Sequence, residues 1–312
     1  MTNGKAQRAT IGGLVSIAIW ATSVSVSRLV TEDLGVLPAT ALVLLLAGAA
    51  LGIMTTIRER GFGWIRRLSG KHLMICGPLF VAYILLLYVA VGRAANRTDA
   101  LVAGLANYLW PTMILIFSVV ILRQRARSAI LVLGIAVALT GILLAGTVSL
   151  GGWDGMMQGV AAVPWSLGIG LIAAVLWGLY SVLARVHPQT VSSGAVALFL
   201  LAAGLLAVIA SRGSWGAAVW SPRAAAAGIY MALLPNSVAY WLWDTGVRDG
   251  DVTTLGAVSN LIPVLSTLVG TAVLSIGVRV ELIGGALLVV VGAAISRWAF
   301  RRSGEESSSG SD

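Results

Sequence analysis

Aromatic and amide side chains lie deep inside the long apolar runs of this chain, and they recur at matched places in its two halves. Trp20 and Arg28 are eight residues apart, as are Trp177 and Arg185. Pro78-Leu79-Phe80-Val81-Ala82-Tyr83 recurs as Pro235-Asn236-Ser237-Val238-Ala239-Tyr240, and all of these pairs share an offset of 157. Asn107-Tyr108-Leu109-Trp110-Pro111 faces Ser259-Asn260-Leu261-Ile262-Pro263. Such a set can bind but has nothing with which to make or break bonds. Indole and phenol faces cover an apolar or aromatic ligand, and their N–H and O–H groups orient it. A proline in a helix interior frees a backbone carbonyl, which can accept from an ammonium or an amide. The candidate substrate-binding residues are therefore Trp20, Tyr83, Asn107, Tyr108, Trp110, Pro111, Trp177, Tyr180, Tyr240, Ser259, Asn260 and Pro263. The competing reading of each ring is packing core, and of each proline a kink that shapes packing.

Asp244 is the deepest acid. An ionisable group inside a membrane marks function by default, here coupling to a proton or ion. Arg248, four residues on, offers the alternative of a helical ion pair. His72 and His187 flank apolar runs, so neither forms a buried proton relay or serves as base to a serine nucleophile. Gly70-Lys71 is followed by His72, not Ser or Thr, so no phosphate-binding loop is present. No His/Glu or Cys/His cluster has metal-ligand spacing. The single cysteine, Cys76, reads as a small buried filler. These readings point away from an enzyme, a metal or any other cofactor, and toward a substrate that moves down its gradient, by exchange, or coupled to an ion.

The elements that hold these residues are set by composition. Hydrophobic residues make up 58% of the 312, charged ones 11%, and mean hydropathy is +0.93. Soluble domains carry roughly 25% charged residues, so the solvent for most of this chain is lipid. The net charge of +9 is spread as punctuation between apolar runs, which speaks for a membrane surface and against nucleic acid. Cutting at the charges leaves ten runs: Ala9–Ser27, Leu34–Ile57, His72–Gly92, Ala100–Leu122, Ser128–Trp153, Gly155–Ala184, Pro188–Ser211, Ala224–Trp243, Val252–Val278 and Leu282–Ser296. Their length and Leu/Ala/Gly/Val content predict spanning helices; a β-barrel would show short alternating segments. With the N-terminus inside, fifteen Lys and Arg face the cytoplasm and six the other side. That bias puts both termini in the cytoplasm.

The ordered matches make the chain a duplication. Residues 1–8 are a cytoplasmic N-terminus, 9–153 the first five-helix repeat, 155–302 the second, and 303–312 a disordered cytoplasmic tail. Five is odd, so the second repeat enters the membrane from the opposite face. The predicted fold is an all-α membrane protein of ten transmembrane helices, in two inverted five-helix repeats around a central cavity. Inverted repeats recur in secondary transporters because two copies can exchange conformations around one site; some channels share the architecture. Gly134 and Gly141 match Gly285 and Gly292, giving small faces for close helix packing. These faces are assigned to contacts within one chain, which leaves a monomer.

Two five-helix repeats, each opening on Trp-x7-Arg and each with a mid-span proline before a glycine-rich last helix, resemble the drug/metabolite transporter superfamily across residues 10–300. Ala106-Asn107-Tyr108-Leu109-Trp110-Pro111 resembles its bacterial aromatic amino acid exporters more specifically. The turn where members commonly carry Gly-Glu-Arg is Arg123-Gln124-Arg125 here, and Gly277-Val278-Arg279 in the second repeat. The resemblance implies a multi-pass inner-membrane carrier with a central cavity lined by aromatics, exporting aromatic and other neutral amino acids. Export of other small metabolites or cationic drugs by the same fold is the alternative, and a channel-like protein without alternating access a further one. The partners implied are an amino acid substrate and the lipid bilayer.

Overall fold

The computed structural model describes residues 3–149 and 165–308, and among them every regular element is helical. Apart from two short 3-10 helices (Phe62–Arg67 and Trp215–Ala217), in chain order they are α1 (Asn3–Ala21), α2 (Ser23–Leu34), α3 (Val36–Arg58), α4 (Gly70–Gly92), α5 (Arg97–Asn107), α6 (Trp110–Val120) and α7 (Ser128–Ser149). They continue as α8 (Trp165–Val186), α9 (Ser192–Ala210), α10 (Pro222–Leu233), a π-helical turn (Leu234–Val238), α11 (Ala239–Asp249), α12 (Val252–Ser259), α13 (Ile262–Val273) and α14 (Val280–Ser308). Among the described residues, seven helices are long and apolar enough to cross a membrane, counting α5 and α6 as one, or eight if the bent pair α1–α2 is a single span. Ile53, Ile57, Met74, Val120 and Val132 stand on the outside, each at least 60% exposed, as expected where lipid is the solvent. The junction expected around Trp153 and Gly155 lies outside the described residues. The last helix continues to Ser308, into the stretch expected to be disordered from 303. Its Arg and Glu residues there are good helix formers, and their helix starts from a stable span.

The helices start and stop where their chemistry dictates. Asn96 accepts from the backbone N–H of Asp99 at 2.8 Å and caps α5. Ser221 does the same for Ala224 at 3.0 Å and is followed by Pro222 at the first helical position, capping α10. Between α1 and α2 the axis bends by 42°. There the hydroxyls of Thr22, Ser23 and Ser25 each donate to the carbonyl three residues back, a local competition that bends helices. The prolines expected in helix interiors instead stand in the first turns of new helices. α5 ends at Asn107 and α6 starts at Trp110 with Pro111 in its first turn; α12 ends at Ser259 and α13 starts at Ile262 with Pro263 in its first turn. A proline costs nothing at a helix start, where its missing N–H would be unbonded anyway.

Packing follows the glycines. A Cβ on Gly141 would sit 2.5 Å from the carbonyl oxygen of Gly285, and one on Gly292 2.5 Å from that of Gly134, so α7 and α14 touch backbone to backbone. Gly48 brings α3 against Ala197 and Leu201 of α9, and Gly204 brings α9 against Leu45 of α3. α8 lies against α4, α5 and α6, while α1 lies against α11, α12 and α13. One buried cluster, around Phe80, Leu44 and Leu200, fills the space between α3, α4 and α9.

Candidate functional site

A cavity of about 420 Å³ runs through the middle of the helix bundle. Its walls are stripes at helical spacing. α8 contributes Trp177, Tyr180, Ser181, Ala184 and Arg185; α1 and α2 contribute Trp20, Ser23, Val24 and Ser27. α4 contributes Tyr83, Ile84, Leu87, Tyr88 and Val91, and α11 contributes Tyr240, Trp243 and Asp244. Trp177 is the hub of the rings. Its centroid lies 4.7 Å from that of Tyr83, 5.2 Å from Tyr180, 6.2 Å from Tyr240 and 6.5 Å from Trp110, the last edge-on at 81°. Trp20 closes the other side, 5.4 Å from both Tyr240 and Trp243. Phe80, fully buried, backs this group within 5.3–6.2 Å of Tyr83, Trp177, Tyr180 and Tyr240. Offset and edge-to-face contacts of this kind hold each ring in one orientation.

The polar atoms around the rings are held in place too. The π-helical turn leaves carbonyls without their usual partners. Asn236 donates to Met231 at 2.8 Å, Ser237 to Ala232 at 2.7 Å, and Trp20 Nε1 to Pro235 at 3.0 Å. Tyr108 donates to Ser266 at 3.0 Å and so ties the α5–α6 break to α13. Asn107 Oδ1 is buried with no hydrogen-bond partner among the described residues. At one end of the cavity, next to Ser27 and Val91, lies a charged cluster. Arg28 bonds Glu32 at 3.0 Å and the carbonyls of Val91, Gly92 and Ala94 at 2.8–3.2 Å. Arg97 bonds both oxygens of Glu32, at 3.0 and 2.8 Å, and the carbonyl of Leu274 at 2.9 Å. One carboxylate thus joins the ends of α2, α4, α5 and α13.

Sequence comparison decides the family: the EamA-like transporter family matches residues 7–147 and 164–298. The chain belongs to the EamA-like transporter family. The aromatic amino acid exporter YddG of Salmonella typhimurium (strain 14028s / SGSC 2262) is 30% identical over 308 residues, 95% of this chain and 99% of the relative. The protein of the same name from Escherichia coli (strain K12) is 28% identical over 305 residues, with the same coverage. That from Ancylobacter novellus is 32% identical over 300 residues, 94% of this chain and 98% of the relative. A solved crystal structure, 28% identical, superposes with a TM-score of 0.67 over 95% of this chain and 99% of its own. The family and these relatives are transporters, not enzymes, and the long apolar helices make this EamA-like chain a multi-pass membrane protein.

In this EamA-like chain, nine of the residues singled out from sequence border the cavity: Trp20, Tyr83, Asn107, Tyr108, Trp110, Trp177, Tyr180, Tyr240 and Asp244. Pro111, Ser259, Asn260 and Pro263 do not. They surround a separate void of about 10 Å³ together with Val289 and Ala293 of α14. The two helix breaks turn these four residues to the far side of Tyr108 and Trp110. The cavity also holds residues outside that candidate set, among them Tyr88, Asn236, Trp243 and Arg185. Trp243 was findable, one helical turn after Tyr240, and so was Arg185, two turns after Trp177. Asn236 stood inside the repeated stretch, but its inward direction depends on the π-helical turn. The side chain of Arg248, the expected partner of Asp244, lies outside the described residues.

Proposed function

We propose that this chain exports amino acids, aromatic and other neutral ones first, by alternating access. The observation that carries the reading is the ring-walled cavity of about 420 Å³, centred on Trp177. An aromatic side chain buries roughly 150–250 Å², worth about 4–6 kcal/mol at 25 cal/mol per Å². That is enough to hold a zwitterion provided its charged ends also find partners. The names of the relatives that cover nearly all of this chain support the same substrate class.

The architecture we infer is ten spans in two inverted repeats, 9–153 and 155–302, in the bacterial inner membrane, with a monomer as the working unit and both termini in the cytoplasm. Adding α10 with its π-helical turn and α11 as one span, and α12 with α13 as another, to the eight above gives ten. The two stretches matched by the family begin at residues 7 and 164, at the offset of 157 that relates the repeated residues. Contacts support an exchange of halves: α7 meets α14, α3 meets α9, and the contact of α4 with α8 is repeated by that of α11 with α1. The stripe Trp20, Ser23, Val24, Ser27 in the cavity wall corresponds one for one to Trp177, Tyr180, Ser181, Ala184.

The test is uptake into liposomes containing only this protein, with competition by tryptophan, phenylalanine, threonine and a quaternary ammonium. Saturable uptake with competition by the amino acids supports the proposal. Asp244 in the cavity wall favours a second reading, export of organic cations; competition by the quaternary ammonium alone would establish that one. Unsaturable flux would mean a pore.

A further inference from the structure

We propose that the substrate's carboxylate binds Arg185 and its ammonium group binds Asp244, with its side chain in the ring cluster behind them; this rests on the amino acid reading above. Two wall stripes end in opposite charges. On α8 the order is Trp177, Tyr180, Ser181, Ala184, Arg185, and on α11 it is Tyr240, Trp243, Asp244. Arg185 lies about 12 Å along α8 from Trp177, and helical side chains lean back toward the N-terminus. Its long side chain therefore leans toward the rings, while its exposed position leaves it reachable at the cavity mouth.

Both charges belong to the same end of the cavity. His72 Nδ1 bonds the carbonyl of His187 at 2.7 Å, which sets the end of α8 beside the start of α4. Lys5 lies 3.7 Å from Asp249, which sets the end of α11 beside the start of α1. In the ten-span topology α1 and α4 start on the same side, since α1–α2 crosses and α3 returns. A bound zwitterion then keeps its charged head toward the mouth and its apolar part inside.

The repeat shows why Arg185 is available. Its counterpart Arg28 is saturated by Glu32 and three carbonyls. At the same 157-residue offset, Glu32 corresponds to Gln189. Gln189 carries no charge and turns away to Ser69, accepting from its N–H at 3.1 Å and donating to its carbonyl at 3.4 Å. At the position that matches Glu32, Arg185 therefore has an amide where Arg28 has a carboxylate. Among the described residues it makes no ion pair or side-chain hydrogen bond. A carboxylate arriving with the substrate supplies the missing anion, in the forked geometry that guanidinium groups favour. The ammonium group meets Asp244 on the α11 stripe, so each charge of the zwitterion faces an opposite charge in the wall.

The experiment is equilibrium binding of tryptophan, tryptamine and indole-3-propionate to the purified full-length protein, comparing wild type with Arg185→Gln, Arg185→Lys and Asp244→Asn. Wild type should prefer tryptophan over tryptamine by at least about tenfold, since tryptamine leaves Arg185 unmatched. Arg185→Gln should collapse that preference by weakening tryptophan while leaving tryptamine within about twofold, which also shows that the variant is folded. Arg185→Lys should recover part of it. Asp244→Asn should weaken tryptophan and tryptamine but spare indole-3-propionate. An unchanged preference in Arg185→Gln, or equal weakening of all three ligands, overturns the assignment while leaving the amino acid reading standing. A wild type that binds none of them overturns that reading and this assignment together.

Discussion

Trp177 shows how much one side chain carries here. It touches five other aromatic rings, from α4, α6, α8 and α11, so removing its indole enlarges the cavity and releases its neighbours together. Trp177→Ala is expected to cut saturable uptake about tenfold or more with the protein still inserted and monodisperse. Trp110→Ala, which loses one ring contact with Trp177, should fall by less. Uptake in proteoliposomes, normalised to inserted protein, checks both; normal transport by the two variants would remove these rings from the binding site. Glu32 is the second residue on which much converges, since Arg28 and Arg97 both bond it and Arg223 approaches to 3.9 Å. Glu32→Gln keeps the shape and removes the charge. The end of the cavity at Ser27 and Val91 should then open more often. A Ser27→Cys probe in a Cys76→Ser background should react with maleimide several-fold faster when Glu32→Gln is added. An unchanged rate would show that the cluster does not hold that end closed.

At the scale of elements, the α7–α14 contact depends on the absence of side chains. A methyl group on Gly141 would meet the Gly285 carbonyl at 2.5 Å, and one on Gly285 would meet the Gly141 carbonyl at 2.5 Å. Neither obstacle is the end of a flexible side chain, so the helices must separate. In a bilayer no hydrophobic force draws them back, because lipid tails serve an apolar face equally well. Gly141→Ala and Gly285→Ala are each expected to lower the apparent melting temperature in detergent by several degrees. Gly168→Ala in α8, where a Cβ meets nothing within 4 Å, should leave it unchanged. Equal melting for all three would mean that close approach of α7 and α14 contributes little. The breaks before Pro111 and Pro263 belong to this scale as well. Each lets one span change direction beside Tyr108, whose hydroxyl bonds Ser266 just beyond the second break.

For the whole molecule, the proposed exchange of halves has a topological consequence. With five spans per repeat, the N-terminus, the C-terminus and the loop from Arg58 to Lys71 are expected on one side, the cytoplasmic one. Reporter fusions at both termini and in that loop should all report the cytoplasm. Termini on opposite faces, or labelling of the loop from outside, would break the ten-span architecture. Membrane character, the family and most of the ring-bearing residues were legible in the sequence, because they depend on local properties: hydropathy over about twenty residues, the positions of prolines and glycines, and fixed offsets between matched stretches. Nine of the singled-out residues surround one cavity because helical stripes at i, i+3 and i+4 project one way whatever the partner helix. Tertiary structure alone decided which way the chain turns at its breaks. That placed Pro111, Ser259, Asn260 and Pro263 outside the cavity wall and brought Asn236 into it through the π-helical turn. It also decided which charges are spent inside the protein. Arg28 and Arg185 hold equivalent places in sequence, but only the fold shows Arg28 bound by Glu32 and the nearby carbonyls while Gln189 turns to Ser69. A charge is satisfied by what lies within a few ångströms of it: Glu32 is one helical turn from Arg28, but the three carbonyls that complete its bonding come from the end of α4 and just beyond it, more than sixty residues along the chain.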